Sequence, residues 1–211
     1  MRAPVIVLAH GGGPLPLLDD PEHKNIHFSL TKRVPAILKL GTPEAPRAII
    51  VITAHRSTEN PTISNGKKHN LYYGYDGFPN QAYNLDYPAP GSPGIAKEIM
   101  NDMRAVGLTP EFDGQRGWDH GVIVPMLLAN PSADIPIIQL SVLRSEDPST
   151  HHAMGKLVEW RNFPNAYEMH SKNGGEHFMS LLVCSGAAGH SKLESDADNI
   201  WKISVWTYYW K

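Results

Sequence analysis

The sequence predicts an α/β protein, a single domain built on a central, mostly parallel sheet with helices on both faces. Three observations carry that reading. Val5–Ala9, Ala48–Thr53 and Ile135–Val142 are short, continuous apolar runs rich in β-branched residues, the pattern of strands covered on both sides. Segments with helical apolar spacing lie between them, as α/β chains require. No repeat, low-complexity tract or composition shift marks a linker.

Taken in order, Val5–Ala9 is stopped by Gly11-Gly12-Gly13-Pro14 and reads as a buried strand entering a loop. Asn25–Leu40 carries Ile26, Leu30, Val34, Ile37 and Leu38 at helical spacing, with Gly41 as its stop and Pro35 as a kink or break. Ala48–Thr53 is a strand closing on His55. Residues 63–75 can hold a hairpin, and 74–94, dense in proline and glycine, reads as loop. Ser92–Val106 is a helix opened by Pro93 and ended by Gly107. Gly121–Leu128 makes a helical turn or two after Asp119-His120. Ile135–Val142 is the third strand, with Pro136 confined to its start. Thr150–Trp160 suits a helix, Phe178–Cys184 a helix or strand ended by Gly186–Gly189, and Ile200–Trp210 a terminal strand.

Composition narrows the function. The chain has 211 residues, 41% hydrophobic and 19% charged, enough apolar content for a sizeable core. A net charge of −2 removes the electrostatic reason to expect nucleic acid or an anionic membrane as partner. The single Cys184 forbids an internal disulfide and fits a reducing, cytoplasmic setting. No apolar run approaches a membrane span of about 20 residues.

The chemistry lies in the eleven histidines. His10 and His55 each follow the end of an apolar strand, where α/β sheets gather ligands, so the two can share a metal or serve as hydrogen-bonded loop histidines. Trp118-Asp119-His120-Gly121 sets a carboxylate beside a histidine, which suits acid–base work or a capped helix start. His170 and His177 flank a glycine-rich stretch, and His170 or Glu176 can supply a third ligand. Such a set fits non-haem Fe(II) activating oxygen, or zinc in hydrolysis. His151-His152 reads as a solvated helix start, and Cys184 as a small core residue. Tyr72, Tyr73, Tyr75, Tyr83 and Tyr87 crowd one stretch and can wall an aromatic pocket or pack. His10-Gly-Gly-Gly also matches the oxyanion loop of esterases, but no serine sits in Gly-x-Ser-x-Gly, which disposes of that alternative.

Together these residues resemble the class III extradiol ring-cleavage dioxygenases, in the DOPA 4,5-dioxygenase branch. The resemblance runs through His10-Gly-Gly-Gly-Pro14, Thr53-Ala-His55-Arg56, Tyr75-Asp-Gly-Phe-Pro79 and Tyr87-Pro-Ala-Pro-Gly91. It continues through Trp118-Asp-His120-Gly-Val-Ile-Val-Pro125, Pro136-Ile-Ile-Gln-Leu-Ser141, Gly175-Glu-His177-Phe-Met-Ser-Leu-Leu182 and Gly186-Ala-Ala188. Each motif is weak alone; their order and spacing are specific. The resemblance implies Fe2+, with Zn2+ able to occupy the isolated protein, held by His10, His55 and His170. It places His120 and His177 as catalytic candidates and Tyr87 and His120 against the substrate, a small catechol such as L-DOPA opened with O2.

The chain departs from that family in one large respect. Between Leu157 and Trp160 the family carries a long stretch with a strand, a Ser-Gly turn and an active-site histidine followed by asparagine. Ser171 and Ser180 also stand where proline is usual. The implied alternative to a working dioxygenase is a catalytically impaired metal-binding homologue acting as a binding module.

Overall fold

The structure, a computed structural model, describes residues 4–155, 176–188 and 191–210. It opens on a short strand, β1 (Val5–Val7), followed by a glycine loop and two 3-10 turns. The first helical segment is α1 (Lys24–Phe28), a π-turn over Ser29–Arg33, and α2 (Val34–Leu38). Pro35 explains the π-turn. It has no N–H to continue the α-pattern, and the Val34 N–H reaches back to the Ser29 carbonyl instead. The expected stop at Gly41 comes earlier, because Lys39 takes the left-handed conformation that closes the helix.

β2 (Ile49–Thr58) runs beyond the expected strand end. It pairs in parallel with β5 (Ile137–Leu143) up to Thr53, bulges, and resumes at Ser57. Between them in the chain lie β3 (Thr62–Ser64), α3 (Pro93–Ala105), β4 (Glu111–Asp113) and α4 (His120–Ala129). Ser92 caps α3 by accepting from the Ile95 N–H, and Gly107 follows with φ +84°. The expected hairpin over 63–75 does not form. β3 pairs instead with β5 and β4, and the following residues contribute a single bridge, Leu71 to Trp118.

The central sheet therefore has the order β2-β5-β3-β4, and two of its three pairings are parallel. Helices cover both faces, and the alternation along β5 decides which. Ile137 faces Ile26 of α1, Leu30 of the π-turn, and Val122 and Met126 of α4. Ile138 and Leu140 face Ala96, Met100 and Met103 of α3, while Val142 faces Met179 and Leu182 of α6 (Glu176–Ala188). That α/β layering is the fold class read from the sequence.

Two readings need correction. β1 does not join the central sheet; it ends a second, antiparallel sheet of order β1-β7-β6. The expected terminal strand is half of a hairpin, β6 (Leu193–Ile200) and β7 (Ile203–Trp210), turned by Trp201 and Lys202 at φ +49° and +64°. β6 carries Glu194, Asp196 and Asp198 where strands prefer apolar or β-branched residues, and its turn lacks the usual glycine or asparagine. The Phe178–Cys184 element is helical and passes through Gly186 to Ala188. α5 (Pro148–Gly155) gives the described part of the helix expected over Thr150–Trp160; the remainder lies outside the described residues.

Candidate metal centre

Three histidines meet at one end of the central sheet. His10 arrives on the loop after β1, where Gly11 and Gly13 take positive φ. A Cβ on Gly11 would lie 2.7 Å from both His23 Cδ2 and Pro16 Cγ, so the loop passes too close for any side chain there. His23 fixes that loop. Its buried ring accepts from the Gly12 N–H at 3.0 Å and donates from Nδ1 to Asp20 at 2.9 Å. The hydrogen bond from His23 is the main reason the Asp20 carboxyl sits below its usual range. Nothing in the sequence reading singled out His23; the signal was the Asp20-x-x-His23 spacing, which sets a carboxylate within reach of a histidine one turn later.

His55 lies inside the bulge of β2, not beyond the strand end. Bulges re-aim side chains, and this one turns His55 out of the strand alternation and toward His10. Its N–H donates to Thr53 Oγ1 at 3.2 Å, and its carbonyl accepts from Arg116 at 3.1 Å. His120 is the first residue of α4, held by the cap before it. The buried Asp119 accepts from the Gly121 N–H at 3.0 Å, the Thr53 hydroxyl at 2.9 Å and Gln139 Nε2 at 2.6 Å. Asp119 thus takes the capping role that the sequence left open, and it ties β2 and β5 to the helix that carries His120. A Cβ on Gly121 would come within 2.6 Å of Thr53 Oγ1 and 3.0 Å of His55, so glycine lets α4 close on β2.

The resulting geometry is tight. His10 Nε2 and His55 Nε2 are 3.0 Å apart, and the His55 and His120 ring centroids lie 3.9 Å apart. One nitrogen from each of the three rings lies within 4.8 Å of the others, and all three side chains are half-buried. Two nitrogens about 2.0–2.1 Å from one ion and at right angles to each other stand about 3 Å apart, so the donor set fits a divalent metal. The neutral imidazole is the ligand form, and it suits iron and zinc alike.

The aromatic wall is Tyr75, whose ring lies 5.6 Å from that of His120. Tyr73, Phe78 and Tyr83 pack edge-on or tilted around it. Burial, with smaller contributions from Tyr73 and Tyr83, pushes the Tyr75 phenol up to about 12, and its hydroxyl donates to the Ala82 carbonyl at 2.6 Å. Tyr87 stands elsewhere. It is 2% exposed, packs against Trp118 and donates its hydroxyl to the Asn130 carbonyl at 3.1 Å. Among the described residues, Tyr75 rather than Tyr87 is the tyrosine in ring contact with the cluster.

His170 lies outside the described residues, and His177 falls in α6 with its side chain outside them. His151, expected to be solvated, is fully buried. It accepts from the Leu143 N–H and donates to the Asp147 carbonyl, both at 2.8 Å, and so joins the end of β5 to α5. Cys184, expected as a small core residue, is half-buried and lines a cavity, and burial of its thiol pushes it up to about 12.

An α/β fold with converging histidines beside an aromatic wall is the architecture of a metal-dependent enzyme acting on small aromatic molecules. Residues 4–162 match the family described as the catalytic LigB subunit of aromatic ring-opening dioxygenase, and the chain belongs to that family of non-haem extradiol oxidoreductases. A relative named dioxygenase tasH, from Hapsidospora irregularis, is 42% identical over 276 aligned positions, covering 99% of this chain and 85% of that protein. The 4,5-DOPA dioxygenase extradiol of Beta vulgaris is 39% identical over 114 residues, covering 54% of this chain and 42% of that one. Its counterpart from Escherichia coli K12 is 31% identical over 158 residues, 74% of this chain and 54% of that one. The chain thus matches about half the length of those two DOPA dioxygenases. An uncharacterized Escherichia coli K12 protein of known crystal structure shares the fold, with a TM-score of 0.72 at 21% identity over all of both chains. Among the described residues no helix is long and apolar enough to cross a membrane.

Proposed function

We propose that this chain opens the ring of a small catechol such as L-DOPA with O2, using Fe(II) held by His10 and His55, with His170 completing the set. The observation that carries this reading is the convergence of His10, His55 and His120 beside Tyr75. When bound, the metal supplies Lewis-acid and oxygen-activating chemistry, and zinc would supply the first alone. The protein's own share is positioning. Tyr75 and the rings packed on it offer an apolar, aromatic wall for a planar substrate. His120, which follows the Asp119 cap at the helix start, would hold or move a proton at a substrate hydroxyl, with His177 as the second candidate for that work. Capture of both reactants in one site supplies proximity as much as reactivity.

Elemental analysis and oxygen uptake test the assignment together. His55→Ala should lose most of its metal per chain, since one ligand of three is gone. His120→Ala should keep its metal while oxygen uptake with L-DOPA falls by about 10²–10⁴-fold, the usual share of an acid–base group. Metal loss in His120→Ala would move that residue into the ligand set, and unchanged metal in His55→Ala would refute the site. The 276 aligned positions exceed the 211 residues of this chain, so the fungal relative carries residues without a counterpart here. That favours a second reading, a metal-binding homologue with impaired turnover. Metal-loaded chain that consumes no oxygen with any simple catechol would select it.

A further inference from the structure

The three histidines hang on both sheets. His55 lies on β2 and His120 opens α4, against the central sheet, whereas His10 follows β1, a strand of the antiparallel sheet β1-β7-β6. Where His10 stands relative to the other two therefore depends on what holds the loop after β1. Each glycine of that loop faces a different element. A Cβ on Gly11 would strike His23 and Pro16, and one on Gly13 would lie 3.0 Å from Phe78 Cζ. One on Gly12 would lie 2.9 Å from Trp201 Cη2, and Trp201 comes from the turn of the C-terminal hairpin.

The register of the second sheet brings that turn to the loop. Val7 pairs with Tyr208 in antiparallel register, so β1 runs on past Val7 toward the end of β7 that begins at Ile203, beside the turn. The Trp201 ring meets the His23 ring edge to face, with centroids 5.3 Å apart and planes at 89°. His23 in turn accepts from the Gly12 N–H at 3.0 Å. Gly12 is thus bonded to His23 and covered by an indole that packs on both. Arg33 reaches Asp198 at 2.9 Å and ties β6 to the π-turn, so docking of the hairpin does not depend on Trp201.

The turn itself is strained. Trp201 and Lys202 both take left-handed φ, +49° and +64°, where a two-residue hairpin turn favours asparagine and glycine. Strain of this kind persists where the surrounding structure over-determines it, and it gathers at functional sites. The indole is 55% exposed, so burial does not account for its place.

We infer that Trp201 is a positioning residue for His10. The hairpin tip holds the glycine loop on His23, and so fixes where His10 stands relative to His55 and His120. This rests on reading those three histidines as a metal centre. The second sheet then carries one ligand on β1 and, on the turn between β6 and β7, the residue that sets it.

The test uses the whole chain with substitutions in the hairpin. Trp201→Asn removes the ring and suits the left-handed turn, so its unfolding midpoint should not fall. In the metal-free chain, hydrogen exchange at the Gly12 amide should quicken about three- to tenfold, the worth of one edge-to-face pair. Cobalt(II) titration, followed by visible absorption, should show half-saturation raised by about the same factor, with an altered band shape. Trp201→Phe keeps an aromatic edge of shorter reach and should fall between the parent and Trp201→Asn on both readouts. That series decides the question even if Trp201→Asn folds poorly. Trp206→Ala removes another exposed tryptophan of the same hairpin and should change neither readout. Equal effects from Trp206→Ala and Trp201→Asn would mean that only the hairpin's general stability matters, which overturns the proposal. Quicker Gly12 exchange with unaltered cobalt binding would reveal a loop contact that does not set His10, and would overturn it too. If the parent takes up no cobalt, the metal centre itself is refuted and Gly12 exchange alone decides. Quicker exchange in Trp201→Asn then sustains the clamp, and unchanged exchange overturns it.

Discussion

β2 and β5 begin as near twins in sequence, Ile-Ile-Val-Ile-Thr against Ile-Ile-Gln-Leu-Ser, paired residue for residue from Ile49–Ile137 to Thr53–Ser141. Their environments differ sharply. All seven residues of β5 are buried, with β2 and β3 alongside and helices above and below. Among the described residues β2 has one neighbour, and in its apolar half only Thr53 is buried. Apolar patterning therefore fixes what a strand would bury, while the number of neighbours fixes what it does bury. The same contrast separates structure from site. β5 is locked along its length, whereas β2 bulges and uses that freedom to aim His55.

The largest effect should come from truncating equivalent positions. Ile138 has no exposed surface, and Ile138→Ala should cost about 2–5 kcal/mol through lost burial and the cavity left behind. Ile50, its partner across the ladder, is 48% exposed, and Ile50→Ala should cost less than about 1 kcal/mol. Urea unfolding of the two variants measures the gap. Equal costs would mean that β2 is as enclosed in solution as β5.

A smaller effect is expected at the end of the matched run. Ser141 Oγ accepts from the Thr62 N–H at 2.9 Å and shares a 2.6 Å bond with Thr58. Ser141→Ala leaves a buried N–H without its acceptor, at about 1–3 kcal/mol. Thr53→Val removes a hydroxyl whose acceptor, Asp119, keeps Gly121 and Gln139, and it takes a long 3.2 Å acceptor from the half-buried His55 N–H, so about 0.5–1.5 kcal/mol is expected. Its further consequence should be looser placement of His55, whose N–H loses its acceptor on Thr53, read as weaker metal retention. Ser141→Ala should leave retention unchanged.

This division also marks what the sequence could disclose. The three apolar runs, the capped α3 and the helix after Asp119 were legible because periodicity and caps are local signals. His10, His55 and His120 stood out because each adjoins a glycine or a strand end. The second sheet was not legible, since β6 is acidic and its turn residues, Trp201 and Lys202, are not turn formers. Choice of sheet for β1 depends on a partner some two hundred residues away, which no local pattern encodes. His23 and Tyr75 gained their roles from tertiary contact, as did the burial of His151 and of Tyr87.

The smallest effect is a pH response confined to the end of β5. His151 accepts from the Leu143 N–H and donates to the Asp147 carbonyl, an arrangement only the neutral ring can make. Burial lowers its pKa below the ordinary value of 6.5, outweighing the opposing pull of the Asp147 carbonyl and of the Asp147 and Glu146 charges. Above 6.5 the ring is neutral folded and unfolded, so its contribution is complete. As the pH falls below 6.5 the unfolded chain takes up the proton first, and stability drops until the lower folded pKa is passed. His151→Gln keeps an acceptor and a donor but cannot titrate. The difference in unfolding free energy between parent and variant, followed from pH 7.5 to 5 by urea midpoint, should therefore be constant at the upper end and shift against the parent below about 6.5. Hydrogen exchange should place the loss at Leu143 and α5, with the Ile49 amide of β2, which donates to Pro136, unaffected. A flat difference, or one spread equally over β2, would mean that His151 does not pin β5, and the contrast between the two strands would then rest on packing alone.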